Sequence, residues 1–305
     1  PKLLGFDLIT RQEFLVRENF IDYMSRKAAG NYVIWSEDAS TKAYGYEAAT
    51  QETFLFSENG FWDSMSTFMN DRYLIYRDMD NLYAYDLPNR QSFIVTTEDV
   101  DMMSLKLTSH FLIWKETAMM KLWAYDLDAK QQHLITSSST DPTLLANDKY
   151  VIWKNSGFMD LYSFSLQTLQ NQNINVPSDI MIPVLSGDYL LWNHYNAETM
   201  LASTEGYDLA TRQPFTIAYT SSGPLAAVGD YVIWSDMVDA MQVLKGAQIF
   251  KLPNDLCTDA VSIVTDIPYE GTTLGATGTD LSSCGFNDLY DTWNRYVPAA
   301  GGAVT

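Results

Sequence analysis

The chain has 305 residues, a formal net charge of -19 at pH 7 and 47% hydrophobic residues. This apolar content is enough for a buried core, which excludes global disorder. The negative charge argues against nucleic acid, because phosphates require Lys and Arg, and against anionic membrane surfaces. No stretch of the sequence approaches the roughly 20 apolar residues of a membrane span, so we predict no membrane insertion.

A short apolar run that ends in an aromatic residue recurs at intervals of about 40 residues, which indicates a repeat architecture. Residues 186–192 and 228–234 are near-copies of each other. The aromatic residues that end the six runs are Trp35, Tyr76, Trp114, Trp153, Trp192 and Trp234. A second marker follows each run, as in Tyr125-Asp126-Leu127, and an extra copy of this marker opens the chain at Phe6-Asp7-Leu8.

Each repeat predicts four short strands. Residues 149–153 form one apolar and aromatic run, residues 122–127 a second, and residues 133–136 a third. A weaker segment before each aromatic-ended run, such as residues 183–185, supplies the fourth. Four short strands in about 40 residues are typical of a propeller blade, so we predict an all-β fold of four-stranded blades.

The turn after the second marker also recurs. It begins with an acidic residue and holds a cation four residues later, as in Asp86 with Arg90 and Asp126 with Lys130. An Asp that opens a tight turn accepts backbone N–H bonds, and we expect the cation to neutralise it. A carboxylate that recurs in this way is interpreted as a turn residue, not as a catalytic group.

The run Gly-Asp-Tyr-Val-Ile-Trp at 229–234, the Tyr-Asp-Leu marker and the Arg-Gln turn together resemble bacterial secreted TolB-like β-propellers over residues 3–252. The resemblance implies a secreted, extracellular, periplasmic or cell-surface protein. In that family the turn more often holds Gly where this chain holds Arg or Lys. Six complete repeats and a leading half repeat predict about seven blades in the parent protein, or six if the half repeat closes the ring. We therefore expect a propeller over 1–252 with an incomplete first blade.

The last segment, residues 253–305, has a different character. It resembles the start of a pre-peptidase C-terminal-like β-sandwich, and we expect it to be truncated. Its two cysteines, Cys257 and Cys284, are either unrelated thiols or, as we favour, a disulfide, which would imply an oxidising compartment. Calcium is the one cofactor that its acidic residues suggest, although no EF-hand-like spacing supports it. These acidic residues are Asp255, Asp280, Asp288 and Asp291, and Asn254 adds a neutral oxygen ligand beside them.

The candidates for ligand binding are residues at positions where the repeats differ from one another. Mostly charged residues that differ between blades follow each aromatic-ended run, and we expect them in loops around the mouth of a central channel, where a glycan or peptide could bind. These candidates are Asp38, Arg77, Asp78, Lys115, Glu116, Lys154, His194, Tyr195 and Asp236. Trp62 joins them because an aromatic residue in a loop suits stacking on a sugar or a partner.

No reaction signature accompanies these residues. The three histidines, His110, His133 and His194, fall at three different blade positions, so no metal site or His-based triad is predicted. We predict a secreted or cell-surface propeller that binds or scaffolds a protein or glycan, with no assigned catalytic residue. A propeller-type polysaccharide lyase or hydrolase and a purely structural spacer remain as alternatives. The lyase or hydrolase would draw on Arg77, Lys115, Lys154, His194 and Tyr195.

Overall fold

A computed structural model describes most of the repeat region and little of the last 50 residues. The described residues are 2–18, 26–37, 42–57, 67–78, 81–117, 120–137, 144–154, 161–174, 176, 180–196, 201–219, 221–238, 241–249, 261–263 and 294–296. Among them no helix is long and apolar enough to span a bilayer. All regular elements in these residues are β-strands.

Strands that follow one another in the chain pair antiparallel and form a series of separate sheets. A first hairpin consists of β1 (Lys2–Asp7) and β2 (Gln12–Glu18). Sheet 1 comprises β3 (Arg26–Ala29), β4 (Tyr32–Glu37), β5 (Lys42–Glu47) and β6 (Glu52–Ser57). Sheet 2 comprises β7 (Phe68–Met69), β8 (Tyr73–Asp78), β9 (Asn81–Asp86) and β10 (Gln91–Thr96). Sheet 3 comprises β11 (Val100–Leu107), β12 (Phe111–Glu116), β13 (Leu122–Asp126) and β14 (Gln131–Thr136).

The later sheets repeat the same order. Sheet 4 comprises β15 (Leu144–Ala146), β16 (Tyr150–Lys154), β17 (Leu161–Ser165) and β18 (Gln170–Ile174). Sheet 5 comprises β19 (Met181–Ser186), β20 (Tyr189–Asn196), β21 (Leu201–Asp208) and β22 (Gln213–Tyr219). Sheet 6 comprises β23 (Ser221–Val228), β24 (Tyr231–Val238) and β25 (Met241–Gln248). Two short parallel strands, β26 (Val261–Ile263) and β27 (Asn294–Tyr296), pair near the C-terminus.

The chain divides into two compact units. The first contains residues 1–157 and 164–171, and the second contains residues 158–163 and 172–305. The first hairpin and sheets 1 to 3 therefore lie in the first unit, and sheets 5 and 6 lie in the second. The predicted boundary between residues 252 and 253, and the resemblance of the last segment to a β-sandwich, stay predictions.

The aromatic-ended runs occupy the second strand of each sheet, where a neighbouring strand covers both edges. In β8, Tyr73, Leu74 and Ile75 are all nearly inaccessible to solvent, so this strand is buried on both faces. Such a strand requires a continuous apolar run, because successive side chains point to opposite faces and both faces are covered by neighbouring sheets. The predicted strands and their order are confirmed.

Neighbouring sheets of the first unit pack face to face through a repeated aromatic stack. A Phe of one outer strand stacks on the marker Tyr of the next sheet. Ring centroids are 6.0 Å apart for Phe14 and Tyr46, 6.4 Å for Phe54 and Tyr85, and 6.3 Å for Phe93 and Tyr125. This packing of successive four-stranded sheets confirms the all-β fold of propeller-type blades; the number of blades stays a prediction.

One position of the recurring turn has a left-handed backbone conformation, although no described copy has glycine there. Asp126 Oδ1 accepts hydrogen bonds from the backbone N–H groups of Asp128 (2.9 Å) and Ala129 (2.8 Å), as predicted for the acidic residue. The fourth residue after it has a positive φ in every described copy. These residues are Arg11, Gln51, Arg90, Lys130, Leu169 and Arg212, with φ between 53° and 65°. The left-handed conformation costs a non-glycine residue about 1–2 kcal/mol.

The turn cation does not neutralise its own Asp, so that part of the prediction is wrong. Arg90 Nη2 lies 2.7 Å from Glu52 Oε2 of the preceding sheet, and the guanidinium carbon lies 4.9 Å from the centroid of the Phe54 ring. Lys130 Nζ similarly lies 4.5 Å from the centroid of the Phe93 ring. Because of the left-handed turn, the cationic side chain points towards the preceding sheet, where it covers the aromatic stack that joins the two sheets.

Leu169 provides a test of strain in this turn, because it is half-exposed and holds the left-handed position with φ 56°. We expect Leu169→Gly to raise the free energy of unfolding by about 1 kcal/mol, because glycine adopts this conformation without a steric penalty. Leu169→Ala removes the same side chain but keeps the penalty, so it serves as the matched control. Urea denaturation of both variants measures the difference, and equal stabilities would contradict the expectation.

Candidate functional site

The charged residues after each aromatic-ended run lie at strand ends, so the prediction that they begin loops is wrong. Arg77 and Asp78 end β8, Lys115 and Glu116 end β12, and Lys154 ends β16. His194 and Tyr195 lie in β20, opposite Ser203 and Ala202 of β21, and Asp236 lies in β24. The hairpins extend because pairing continues past the aromatic residue, as between Asp78 and Asn81.

Four further candidates lie outside the described residues: Asp38, Trp62, Cys257 and Cys284. Their predicted roles, including the disulfide and the loop aromatic, stay predictions. The acidic residues proposed for calcium in the last segment also lie outside them. Within the described part of the chain, no three His, Cys, Asp or Glu side chains lie close enough together to hold a metal ion.

Two of the predicted carboxylates are buried and neutralised by a Lys of the same sheet. Asp236 is 5% exposed, and its Oδ2 lies 2.6 Å from Lys245 Nζ. Glu116 is 6% exposed, and its Oε2 lies 3.5 Å from Lys121 Nζ. Because a buried carboxylate without a partner is costly, each pair holds its own hairpin closed.

The His194 region does not have the arrangement of a Ser-His-acid triad. Ser203 lies opposite His194 in the ladder between β20 and β21, but its Oγ donates to Glu205 Oε1 at 2.8 Å. In a triad the hydroxyl donates to the imidazole instead. The remaining candidates for catalysis, Arg77, Lys115 and Lys154, lie on three different sheets, and Arg77 pairs with Asp99 at 3.3 Å.

A cleft of about 760 Å³ lies in the first unit between sheet 2 and sheet 3, and it contains one predicted residue, Glu116. One wall is the outer strand β10 with the residues that follow it, and the other is formed by the ends of β12, β13 and β14. Its lining residues are Ile94, Val95, Thr96, Thr97, Glu98, Glu116, Lys121, Trp123 and Gln132. We call it the Trp123 cleft.

Three polar or aromatic groups that line the Trp123 cleft contact one another. The indole Nε1 of Trp123 donates to Glu116 Oε2 at 3.1 Å, and Lys121 Nζ lies 5.8 Å from the centroid of the Trp123 ring. The backbone closes the same hairpin, since the Glu116 N–H donates to the Lys121 carbonyl at 2.8 Å. The carboxylate, the ammonium group and the ring therefore hold one another in position.

One residue of the outer strand that lines the cleft is smaller than its counterpart in sheet 1. Val95 lines the cleft, and its counterpart in sheet 1 is Phe56. The two correspond because each lies four residues after the residue, Gln91 or Glu52, that pairs with the acidic residue of its own turn. The Phe56 ring packs edge-on against Tyr76 and Tyr85 of the next sheet, at 5.1 Å and 4.6 Å. Val95 is the smaller residue at this position, and it lines the cleft beside sheet 3.

A polar cluster at the opposite end of these strands joins the two sheets that form the cleft. Asp128 of sheet 3 accepts a hydrogen bond from the Tyr73 hydroxyl (2.8 Å), lies 2.6 Å from Arg72 and bonds to His110 Nδ1 (2.7 Å). Burial tends to raise the pKa of Asp128, but the hydrogen bonds from Tyr73 and His110 and the charge of Arg72 hold it below the ordinary value. Burial and the neighbouring Asp128 raise the pKa of the Tyr73 hydroxyl, so it remains a donor.

Sequence reasoning missed Trp123, Lys121, Glu98 and Gln132. Trp123 carried a signal, because three other copies have tyrosine at its position: Tyr44, Tyr83 and Tyr162. No signal in the sequence pointed to Val95, because valine is common in outer strands and the side chains that face it are known only from the structure.

No protein-family model matches the sequence, and the search of curated proteins gave no significant match. Similar solved structures include the computationally designed Ika8 protein, at 11% identity over 72% of this chain and 70% of that chain, with a TM-score of 0.41. TolB from Acinetobacter baumannii is 12% identical over 68% of this chain and 57% of that chain, with a TM-score of 0.37. Dipeptidyl peptidase 4 from Porphyromonas gingivalis is 8% identical over 76% of this chain and 47% of that chain, with a TM-score of 0.48.

This chain thus spans about half the length of TolB and of the peptidase. The assignment to propeller-type blades rests on the sheets themselves. We infer no function from these likenesses.

The Asp128 cluster predicts a pH-dependent stability. A carboxylate whose pKa is lowered by folding stabilises the folded state above its unfolded pKa of about 3.9, and this contribution is lost as the pH falls through the folded value. We expect Asp128→Asn to unfold at lower urea concentration than the parent protein at pH 7, and the difference to shrink below about pH 4. Glu13→Gln, which changes an exposed carboxylate in β2, is the control and should leave the midpoint unchanged at both pH values. A difference that persists at low pH would contradict the expectation.

Proposed function

We propose that this chain is a secreted or cell-surface propeller that binds a glycan without altering it, and that the Trp123 cleft is the binding site. The observation that carries the proposal is the fixed group of Trp123, Glu116 and Lys121 at the end of a 760 Å³ cleft. An aromatic ring suits stacking on the apolar face of a sugar, and the groups around it suit hydrogen bonds to hydroxyls.

The charges of the cleft favour a neutral or amino-containing glycan. Glu98 and Glu116 supply two carboxylates against the single ammonium group of Lys121. Acidic sugars are disfavoured both by this local balance and by the net charge of -19. Gln132 and the hydroxyls of Thr96 and Thr97 add neutral donors and acceptors along the cleft.

Binding without catalysis is favoured because Glu116 accepts the indole N–H of Trp123 and pairs with Lys121. A glycoside hydrolase uses two carboxyl groups that both act on the substrate, and of the two in this cleft, Glu98 and Glu116, the second is held by its neighbours in the protein. The resemblance of the repeat to secreted TolB-like propellers supports a location outside the cytoplasm.

The test is an array of neutral, amino-containing and acidic oligosaccharides probed with the full chain and its variants. We expect Trp123→Ala to weaken binding by about tenfold or more, since buried aromatic anchors carry much of the energy of an interface. Val95→Phe should do the same by adding a larger side chain to the wall of the cleft. Tyr83→Ala, at the position of Trp123 in sheet 2, is the matched control and should bind like the parent protein.

Several results would overturn the proposal. Parent-like binding by folded Trp123→Ala and Val95→Phe would remove the cleft as the site, and a parent protein that retains no glycan would remove the function. Thermal melting confirms that each variant is folded. Release of shorter sugars from a retained oligosaccharide, detected by chromatography, would instead establish the hydrolase or lyase alternative.

A further inference from the structure

The first unit contains a second groove, and its outer-strand wall corresponds to that of the Trp123 cleft. It has a volume of about 510 Å³ and lies between the first hairpin and sheet 1. Its lining residues are Leu15, Val16, Arg17, Glu18, Tyr46, Gln51 and Thr53. We call it the Arg17 groove.

Part of the lining of the two sites is equivalent by strand register. Gln12 lies opposite Asp7, and Gln91 lies opposite Asp86, so the outer strands β2 and β10 begin at the same repeat position. Leu15, Val16 and Arg17 follow Gln12 at the same distances along the strand as Ile94, Val95 and Thr96 follow Gln91, so the two sets occupy equivalent positions. On the facing wall, Thr53 occupies the position of Gln132, because each pairs with its own marker tyrosine.

The junction between these two sites is filled. Its outer strand is β6, which carries Phe56 where the other two strands carry Val16 and Val95. The Phe56 ring occupies the space beside Tyr76 and Tyr85. An open groove therefore accompanies a valine at this position, and a filled junction accompanies phenylalanine.

The Arg17 groove offers the same chemistry as the Trp123 cleft with different residues. Its lining includes the cation of Arg17 and the aromatic residue Tyr46. Glu18, Gln51 and Thr53 add a carboxylate, an amide and a hydroxyl. An aromatic residue, a cation, a carboxylate and neutral hydrogen-bonding groups thus line both sites.

We infer that the Arg17 groove is a second glycan site, so that one chain of this protein binds two units of the same class of ligand. This inference rests on the proposed function of the Trp123 cleft. Two sites on one rigid series of sheets suit a repeating polysaccharide more than a single short sugar, because the second contact of a long chain is intramolecular.

The test is isothermal titration of the full chain with three neutral hexasaccharides: maltohexaose, cellohexaose and the hexamer of N-acetylglucosamine. We expect a stoichiometry close to two for a hexasaccharide that binds. Val16→Phe and Val95→Phe should each reduce it to close to one by filling one site in the manner of Phe56. The polysaccharide of the same sugar should bind about tenfold or more tightly than the hexasaccharide, and each variant should lose that gain.

Matched variants keep the test decisive if a phenylalanine disturbs folding. Arg17→Ala and Trp123→Ala remove groups from one site each without adding volume, and Tyr83→Ala should leave both sites intact. A stoichiometry of one that Val95→Phe abolishes and Val16→Phe leaves unchanged would overturn the second site and leave the proposed function standing. The absence of binding for all three hexasaccharides and their polysaccharides would overturn both.

Discussion

The stack of a Phe on the marker Tyr of the following sheet is the contact on which the first unit depends. Phe54 contacts two groups of sheet 2, the ring of Tyr85 and the guanidinium of Arg90. A four-stranded sheet whose central strand is apolar on both faces is not stable alone, so each sheet needs its neighbours. The left-handed turn that delivers Arg90 or Lys130 is strained, and the aromatic contact offsets that cost.

Two junctions between sheets of the first unit contain a groove. The outer strand carries Val16 at one and Val95 at the other, and at the junction between them it carries Phe56, whose ring packs on the next sheet. The repeat fixes the framework and leaves this position free to vary, which is how one fold acquires different sites.

The strand ends contribute less to binding than their charges suggest. Glu116 and Asp236 are buried against Lys121 and Lys245, and Arg77 meets Asp99, so these groups stabilise hairpins. Glu116 contributes to the Trp123 cleft through the indole N–H that it accepts, a contact between neighbouring strands of sheet 3. A charge pattern read along the chain could not separate this residue from the others.

The sequence by itself determined the all-β repeat, the four strands of each blade, the buried aromatic-ended strand and the acidic residue of the turn. These features depend on contacts within about 40 residues of chain, where periodicity and turn chemistry decide the outcome. Only the tertiary structure decided the partner of Arg90, the length of the hairpins and the grooves at Val16 and Val95. Each of these features depends on a side chain from another strand or sheet. The spacing of residues along the chain does not show which side chain that is.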